Sequence, residues 1–280
     1  MPKQIVLCGV IMFQLACASV VAGDGPSRFE MASTATGQKY DVEVVIPQRA
    51  RPGAEYPVLY CMDWFILGDY LKSLPKLMNM GRLTESYIMV GISQGSNDDD
   101  WAVMRTRDFT PARPVDEYSK GLMYAKALEL AGGAAKFESF LADELIPRIE
   151  SDYPADSSRR CFVGYSLGAL LGAHVLVTRP EAFQYFLLGS PSLWFNEFYL
   201  LTELDNIPAG RFDHVKKVYL SVGEDESWDM FKGFAMMRAA LKEKGLDGSR
   251  LEAEIIDSTG HVGAMPTALY NGIRFMLGSR

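Results

Sequence analysis

Residues 161–169 read CFVGYSLGA, and they contain a serine between two glycines in the segment 164–168 (GYSLG). The apolar residues before Gly164 are typical of a short buried strand. Residues 167–177 (LGALLGAHVLV) are apolar nearly all round, as expected of a buried helix. The glycines leave room for a sharp turn from strand to helix, and the N–H groups that begin the helix favour negative charge near Ser166. This context predicts a presented nucleophile rather than an ordinary turn.

Strand and helix patterns alternate along the rest of the chain. Residues 39–46 alternate in polarity and predict an antiparallel strand, and residues 137–149 have helical spacing whose last turn Pro147 should distort. Other short segments predict strands at residues 56–62, 87–92, 161–164, 185–188, 218–222 and 251–256, and longer segments predict helices at 167–177, 228–244 and 265–277. Such alternation implies an α/β fold, with a mainly parallel central sheet and helices on both faces.

Composition limits the function classes. The chain has 280 residues, of which 48% are hydrophobic and 22% charged, so it can bury a sizeable core. A net charge of −7 argues against nucleic acid as a partner, because phosphate binding needs a positive surface. No repeat, linker or charge block divides the chain, so we expect one domain over residues 24–280.

The N-terminal segment differs in composition from the rest of the chain. A short positive start precedes the apolar segment 5–22 (IVLCGVIMFQLACASVVA), which ends in small residues before a polar stretch. This pattern predicts a cleaved secretory signal peptide at residues 1–23, and hence a secreted or periplasmic protein with no stable membrane insertion. An uncleaved membrane anchor is the alternative, since the run approaches spanning length. A lipoprotein signal at Cys17 is disfavoured, because Gln14 stands where an aliphatic residue is needed.

Two of the four cysteines, Cys8 and Cys17, would leave with the signal. Cys61 and Cys161 both lie in apolar strand-like runs, where a buried free thiol is the commoner state. We expect their strands to be neighbours, but a bridge between adjacent parallel strands strains disulfide geometry. Two buried free thiols are therefore predicted. No histidine or cysteine pair has metal-ligand spacing, so neither a metal nor another cofactor is expected.

A serine needs a base to become a nucleophile, and the chain has three histidines. His174 lies inside the predicted apolar helix and is read as a hydrogen-bonded packing residue, and His214 lies in a charged stretch and is read as solvated. His261 follows the last predicted strand in a glycine-flanked loop, which suits the chain order serine, acid, histidine. The sequence does not single out one residue as the acid that would orient the histidine. Candidates follow the strand 218–222 and the last strand, and they are Glu224, Asp225, Glu226 and Asp257.

The chain resembles the "putative esterase" family of α/β-hydrolases, which includes enterochelin-type siderophore esterases, S-formylglutathione hydrolase (esterase D) and feruloyl esterases. The resemblance is carried by residues 132–195 around GYSLG. Further similar segments are PVLYCMDW, RTRDFTP, SPSLW and GHVGAMPTALYNGIRFM, in the same order over most of residues 38–277. The resemblance implies an α/β-hydrolase fold and ester hydrolysis, and it does not specify the substrate.

The family pattern implies a catalytic triad of Ser166, Glu226 and His261, because the acid usually stands three residues after the glycine that ends its strand. It also implies an oxyanion hole formed by the backbone N–H groups of Leu167 and Trp64. Two positions depart from the pattern. Ala169 replaces a second glycine after the serine motif, and Trp64 replaces the glycine expected after an aspartate. A backbone donor does not need a particular side chain, but we expect the indole to reshape the acyl pocket.

Aromatic and basic residues near these motifs are candidates for the substrate pocket, although core packing or a structural ion pair would explain them equally well. The candidates are Phe65, Arg107 and Trp194, with Trp64, Arg105 and Phe195 as further possibilities. The leading function is a serine carboxylesterase acting on a small-molecule ester, either siderophore-type or short-acyl. The alternatives are an acyltransferase with the same site and a non-catalytic binding protein on the same fold.

Overall fold

The structure is a computed structural model, and it describes residues 27–48, 50–95, 97–121, 125–208 and 210–278. The expected signal peptide, with Cys8 and Cys17, lies outside the described residues. No helix within these ranges is both long and apolar enough to cross a membrane.

The strands of the described residues form one eight-stranded sheet in the order β1-β2-β4-β3-β5-β6-β7-β8. They are β1 (Ser27–Ala32), β2 (Lys39–Val45), β3 (Tyr56–Cys61), β4 (Ile88–Ser93), β5 (Ala155–Tyr165), β6 (Tyr185–Gly189), β7 (Lys217–Gly223) and β8 (Leu251–Ile256). β2 pairs antiparallel with β1 and with β4, and every other neighbouring pair is parallel. The predicted mainly parallel sheet with an antiparallel strand at residues 39–46 is confirmed.

The helices are α1 (Trp64–Met80), α2 (Asp98–Phe109), α3 (Glu117–Gly121), α4 (Ala125–Leu130), α5 (Ala134–Ser139), α6 (Ile146–Asp152), α7 (Leu167–Thr178), α8 (Phe195–Asp205), α9 (Trp228–Glu243) and α10 (His261–Leu277). A π-helical turn at Phe140–Leu145 joins α5 to α6. Two short 3₁₀ turns lie at Pro180–Ala182 and Gly248–Arg250.

Alternate residues of each strand point to opposite faces of the sheet and enter two separate apolar layers. In β3, Tyr60 belongs to the layer covered by α5 to α9, whereas Leu59 and Cys61 belong to the layer covered by α1 and α10. All six residues of β3 are buried, as expected of a strand covered on both faces. Helix α7, apolar nearly all round, is buried from Leu167 through Leu176.

Some elements differ from the sequence predictions. The predicted helix at residues 137–149 is divided by the π-helical turn, and Pro147 lies in the first turn of α6. The backbone is helical on both sides of α6's start, since Leu145 and Ile146 are both αR, so Pro147 lies inside a continuous helical segment. The π-helical turn comes just before this residue, which cannot donate an intrahelical hydrogen bond. Helix α10 begins at His261 rather than at residue 265. Helices α1, α2 and α8 and strand β1 were not predicted.

The predicted buried free thiols are found at Cys61 and Cys161. Their strands are neighbours, but Cys61 is opposite Val163 and Cys161 is opposite Leu59, so the two cysteines are out of register. Burial raises the pKa of both thiols, which leaves them protonated and unreactive.

Candidate active site

Ser166 lies between β5 and α7 in a strained turn, with φ 60° and ψ −120°. Its backbone N–H donates to the carbonyl of Gly189 on the adjacent strand (2.9 Å), which helps to hold the turn. Any Cβ at Gly164 would lie 2.3 Å from the carbonyl oxygen of Gly168, so only glycine allows the strand to approach the helix this closely. The predicted strand–turn–helix context of the serine is therefore confirmed, and it projects Ser166 from the carboxyl edge of the sheet.

His261 is brought to this serine from the far end of the sequence. It is the first residue of α10, and its Nε2 lies 2.9 Å from Ser166 Oγ. Ser192 Oγ lies 3.4 Å from the same oxygen, on the segment that follows β6. In the neutral tautomer with a proton on Nδ1, Nε2 can accept the serine hydroxyl hydrogen.

Glu226 is the carboxylate that meets His261. Its Oε2 lies 2.6 Å from Nδ1, and its Oε1 accepts hydrogen bonds from Ser190 Oγ (2.6 Å) and from the N–H of Gly223 (2.8 Å). Burial by itself raises the pKa of this carboxyl, but the hydrogen bonds from His261, Ser190 and Gly223 outweigh it and lower the pKa below its ordinary value. The carboxylate is therefore ionised at neutral pH.

The other candidate acids lie elsewhere. Asp225 donates its backbone N–H to Thr259, and the side chain of Glu224 accepts from the N–H of Ser258. Asp257 has an exposed side chain after β8. Among the candidates that the sequence left open, the fold brings Glu226 to the histidine.

Two helices begin next to Ser166, because β3 and β5 are parallel neighbours and each is followed directly by a helix. Leu167 opens α7 and Trp64 opens α1, so neither N–H has an acceptor within its own helix. A Cβ at Gly168, in the first turn of α7, would lie 3.1 Å from the side chain of Asp63, which precedes α1. Both N–H groups therefore lie at helix starts, at the carboxyl ends of neighbouring parallel strands.

The indole of Trp64 does not reach this site, so the expectation that it reshapes the acyl pocket is wrong. It is buried over β4, in the layer under α1 and α10, where a Cβ at Gly91 would lie only 1.9 Å from its ring. Its Nε1–H donates to the buried carboxylate of Glu43 (2.8 Å). A glycine on β4 thus makes room for the indole.

Asp63 connects this turn to α2. Its backbone is left-handed, with φ 54°, and its carboxylate is buried. Arg105 donates two hydrogen bonds to that carboxylate, both of 2.8 Å, and Trp101 Nε1–H donates a third of 2.9 Å. The guanidinium of Arg105 also lies 4.8 Å from the Trp101 ring centroid. These contacts fix the turn that presents the Trp64 N–H.

A cavity of about 170 Å³ opens beside Ser166 and His261. The wall is mainly apolar, and its charged members, Asp63 and Arg105, are paired with each other. The apolar lining consists of Ile66, Leu67, Trp101, Val262 and Met265, with Tyr165 beside the serine. The cavity therefore suits a small apolar or aromatic group.

The three predicted pocket residues Phe65, Arg107 and Trp194 do not line this cavity. Phe65 lines a different cavity, on the side of the sheet where the Trp64 indole lies. Arg107 is held by two hydrogen bonds to Asp108 (2.7 and 2.9 Å), which is the structural ion pair considered as its alternative. Trp194 packs edge-on against Tyr118, on the segment that continues from Ser192. Side-chain direction, which sequence proximity does not report, separates these residues from the cavity.

Sequence reasoning missed the cavity wall formed by Ile66, Trp101, Val262 and Met265, since their helices were not predicted or were predicted to begin later. The remaining histidines play no part at the site. His174 is buried on α7 with both ring nitrogens lacking a hydrogen-bond partner among the described residues, so the expected hydrogen bond is not found. His214 lies on the approach to β7 and is half-buried. Within the described ranges, no three histidine, cysteine or acidic side chains could hold a metal ion together.

Known proteins resemble this chain over most of its length. The family described as "Putative esterase" matches residues 33–232. The ferri-bacillibactin esterase BesA of Bacillus subtilis is 28% identical over 263 residues, which is 88% of each chain. The crystal structure of the BES protein from Bacillus cereus superimposes with a TM-score of 0.73 at 22% identity and covers 99% of both chains. The siderophore hydrolase EstA from Aspergillus nidulans superimposes with a TM-score of 0.70 at 22% identity and covers 98% of both.

The two structural matches support the α/β-hydrolase fold, and the family match extends over most of the chain, including β5, the serine turn and α7. An enzyme is therefore favoured over a non-catalytic binding protein. The chain belongs to the "Putative esterase" family and is a serine esterase on the α/β-hydrolase fold.

Proposed function

We propose that Ser166, His261 and Glu226 form the catalytic triad of a carboxylesterase. The observation that carries this proposal is the continuous path from Ser166 Oγ to His261 Nε2 (2.9 Å) and from His261 Nδ1 to Glu226 Oε2 (2.6 Å). The order of the three residues along the chain is the one found in α/β-hydrolases.

In the proposed reaction, Ser166 Oγ attacks the ester carbonyl carbon while its proton passes to His261 Nε2. Glu226 stabilises the imidazolium that forms and keeps the ring in the productive tautomer. The carbonyl oxygen becomes an oxyanion, to which the N–H groups of Leu167 and Trp64 donate. The ester C–O bond then breaks, and the departing alkoxide takes the proton from His261. Water repeats the sequence on the acyl-enzyme and releases the acid.

The test of this assignment is covalent labelling combined with turnover. A fluorophosphonate should label Ser166, and Ser166→Ala should lose both the label and about three orders of magnitude or more in kcat. Ser192→Ala is the matched control, because it removes the neighbouring hydroxyl and should retain the label. Turnover of a short p-nitrophenyl ester by Ser166→Ala at the wild-type rate would refute the assignment.

We propose a siderophore-type or short-acyl ester as the substrate. Support comes from two proteins similar to this chain, a ferri-bacillibactin esterase and a siderophore hydrolase. The cavity of about 170 Å³ can hold one small ring or a short alkyl chain. By comparison, an apolar cavity of roughly 150 Å³ in another protein binds benzene. Most of a trilactone would therefore lie outside the cavity.

A hydrolysis panel distinguishes these substrates. It should contain an enterobactin-like trilactone, a feruloyl ester and short aliphatic esters, each compared by kcat/KM. No preference for the trilactone would exclude the siderophore proposal and leave the short-acyl one. Addition of an alcohol tests the acyltransferase alternative, since a transferase would form a new ester where a hydrolase releases the free acid.

We also infer export of the protein, with residues 1–23 removed and residues 24–280 left as a single α/β-hydrolase domain. The positive start, the apolar segment and the small residues before Gly23 support this inference. Two buried, protonated thiols are compatible with an oxidising compartment, because they are shielded from oxidation. Determination of the N-terminal sequence of the protein purified from its natural host tests the inference of export. Retention of residues 1–23 in a membrane fraction would instead indicate an anchor.

A further inference from the structure

Ser190, just after β6, has a backbone conformation that is unfavourable for a serine. Its φ is 40°, in the left-handed region, and its side chain is 0% exposed. A residue with a Cβ costs roughly 1–2 kcal/mol in this region, whereas glycine adopts it freely. A strained serine buried beside an active site suggests that the hydroxyl itself is needed.

The hydroxyl of Ser190 links both partners of the histidine–acid pair. Ser190 Oγ donates to Glu226 Oε1 (2.6 Å) and lies 2.8 Å from the hydroxyl of Tyr165. Tyr165 in turn donates to the backbone carbonyl of His261 (2.5 Å). The tyrosine immediately precedes the nucleophile, so one short chain of contacts joins the serine turn, the acid and the start of α10.

The number of available hydrogens fixes the direction of the hydrogen bonds made by these two hydroxyl groups. The Glu226 carboxylate and the His261 carbonyl can only accept, so each takes one of the two hydroxyl hydrogens. Ser190 therefore donates to the acid and Tyr165 to the histidine backbone. No hydrogen is left for the 2.8 Å approach of the two hydroxyl oxygens, which is a packing contact rather than a hydrogen bond. Since Ser190 and the Gly223 N–H both bind Oε1, Oε2 is left for His261 Nδ1.

We propose that Ser190 and Tyr165 are positioning residues that fix the Glu226 carboxylate and the His261 backbone relative to each other. The proposal rests on the triad described above. Neither hydroxyl is placed to touch the reacting ester. Ser190 orients the carboxylate so that one oxygen faces Nδ1, and Tyr165 anchors the residue that carries the imidazole.

Ser190→Gly tests the proposal, because it removes the hydroxyl and relieves the backbone strain at once. We expect kcat to fall about 10- to 100-fold, the range for loss of a hydrogen bond to a charged group, with KM within about twofold. The thermal midpoint should be unchanged or higher. Ser258→Gly is the matched control, since Ser258 has φ 53° and an exposed side chain, and its kinetics should equal those of the wild type.

The pH profile separates positioning from a merely structural role. The hydrogen bond from Ser190 is one of the contacts that lower the pKa of Glu226, so its loss should raise the pKa of that carboxyl and move the acid limb of kcat/KM to higher pH. The other charged groups that line the cavity with His261 are Asp63 and Arg105, and their mutual hydrogen bonds are untouched by the substitution. A purely structural role would lower the thermal midpoint and leave the acid limb in place.

Tyr165→Phe provides a second route should Ser190→Gly fold poorly. It keeps the ring and removes the hydroxyl, and we expect a smaller fall in kcat, about 3- to 10-fold, since Ser190 still holds the acid. Combined, the two substitutions should cost less than the product of the single effects, because both act on one network. Single variants with kcat within twofold of the wild type, while Ser166→Ala is inactive, would overturn this inference and leave the triad standing.

Discussion

The carboxylate of Glu226 lies 2.6 Å from the Nδ1 of His261, although 35 residues separate them in the sequence. The acid leaves β7 and the histidine opens the helix after β8, so the parallel pairing of these two strands brings the pair together.

Glu226→Ala should reduce kcat by about 10³- to 10⁴-fold without loss of folding, because the imidazole loses both its orientation and its counter-charge. Asp225→Ala is the matched control, as it removes the adjacent carboxylate from the same turn and should retain near-wild-type turnover. Steady-state kinetics with a p-nitrophenyl ester measure both. A loss confined to Asp225→Ala would transfer the role to that neighbour.

Gly164→Ala should destabilise the protein and disturb the serine turn together, because the added Cβ would lie 2.3 Å from the carbonyl oxygen of Gly168. The free energy of unfolding should fall by about 1–3 kcal/mol, the usual cost of overpacking, or more. Gly121→Ala serves as the control, because a Cβ there would meet no atom of the described residues within 4 Å. Urea unfolding compares them, and equal stability of the two variants would contradict the close approach.

Ile66→Trp should partly fill the cavity beside Ser166, since Ile66 lines that cavity. We expect kcat/KM for aryl esters to fall by about tenfold or more relative to acetate esters, in line with the roughly 1–3 kcal/mol that shape mismatch costs in apolar pockets. Leu77→Trp places the same side chain at another exposed apolar position of α1 and controls for surface effects. Equal loss for aryl and acetate esters would show that the cavity does not hold the aryl group.

His174 should make the protein less stable as the pH falls from about 6.5 to 4. Burial lowers the pKa of its imidazole to about 4. Glu138 lies 3.4 Å from Nε2 and would oppose this shift, but neither ring nitrogen has a hydrogen bond and burial raises the pKa of that carboxyl. We therefore take burial as the larger effect. The unfolded chain binds the proton more tightly, so protons favour unfolding in this window, by on the order of 3 kcal/mol in total.

Replacement of this histidine by leucine checks the effect. His174→Leu should show a smaller loss of unfolding free energy between pH 7.5 and pH 4.5 than the wild type, as measured by urea unfolding at both values. Identical losses would mean that the imidazole is not held neutral by burial.

Much of the fold follows from local sequence patterns. Nearly continuous apolar runs predicted β3, β4, β6, β7 and the end of β5, because buried parallel strands need apolar residues on both faces. The serine turn was predictable for the same reason, since a buried strand, two glycines and an apolar helix leave few other backbone paths. Ser166 and His261 were singled out by this context and by their order along the chain.

Other features were decided only by tertiary structure. Three consecutive carboxylates, Glu224 to Glu226, are alike in sequence, and only the turn after β7 and the donors Ser190 and Gly223 select one of them. The sequence placed Trp64 at the pocket because of its neighbours in the chain, yet its indole occupies the space above Gly91 on β4, away from the serine. Periodicity and composition report which residues are buried, because burial depends on side-chain type. They do not report which way a side chain points or which partner it meets, because those depend on residues that are distant in sequence and are brought together only when the sheet forms.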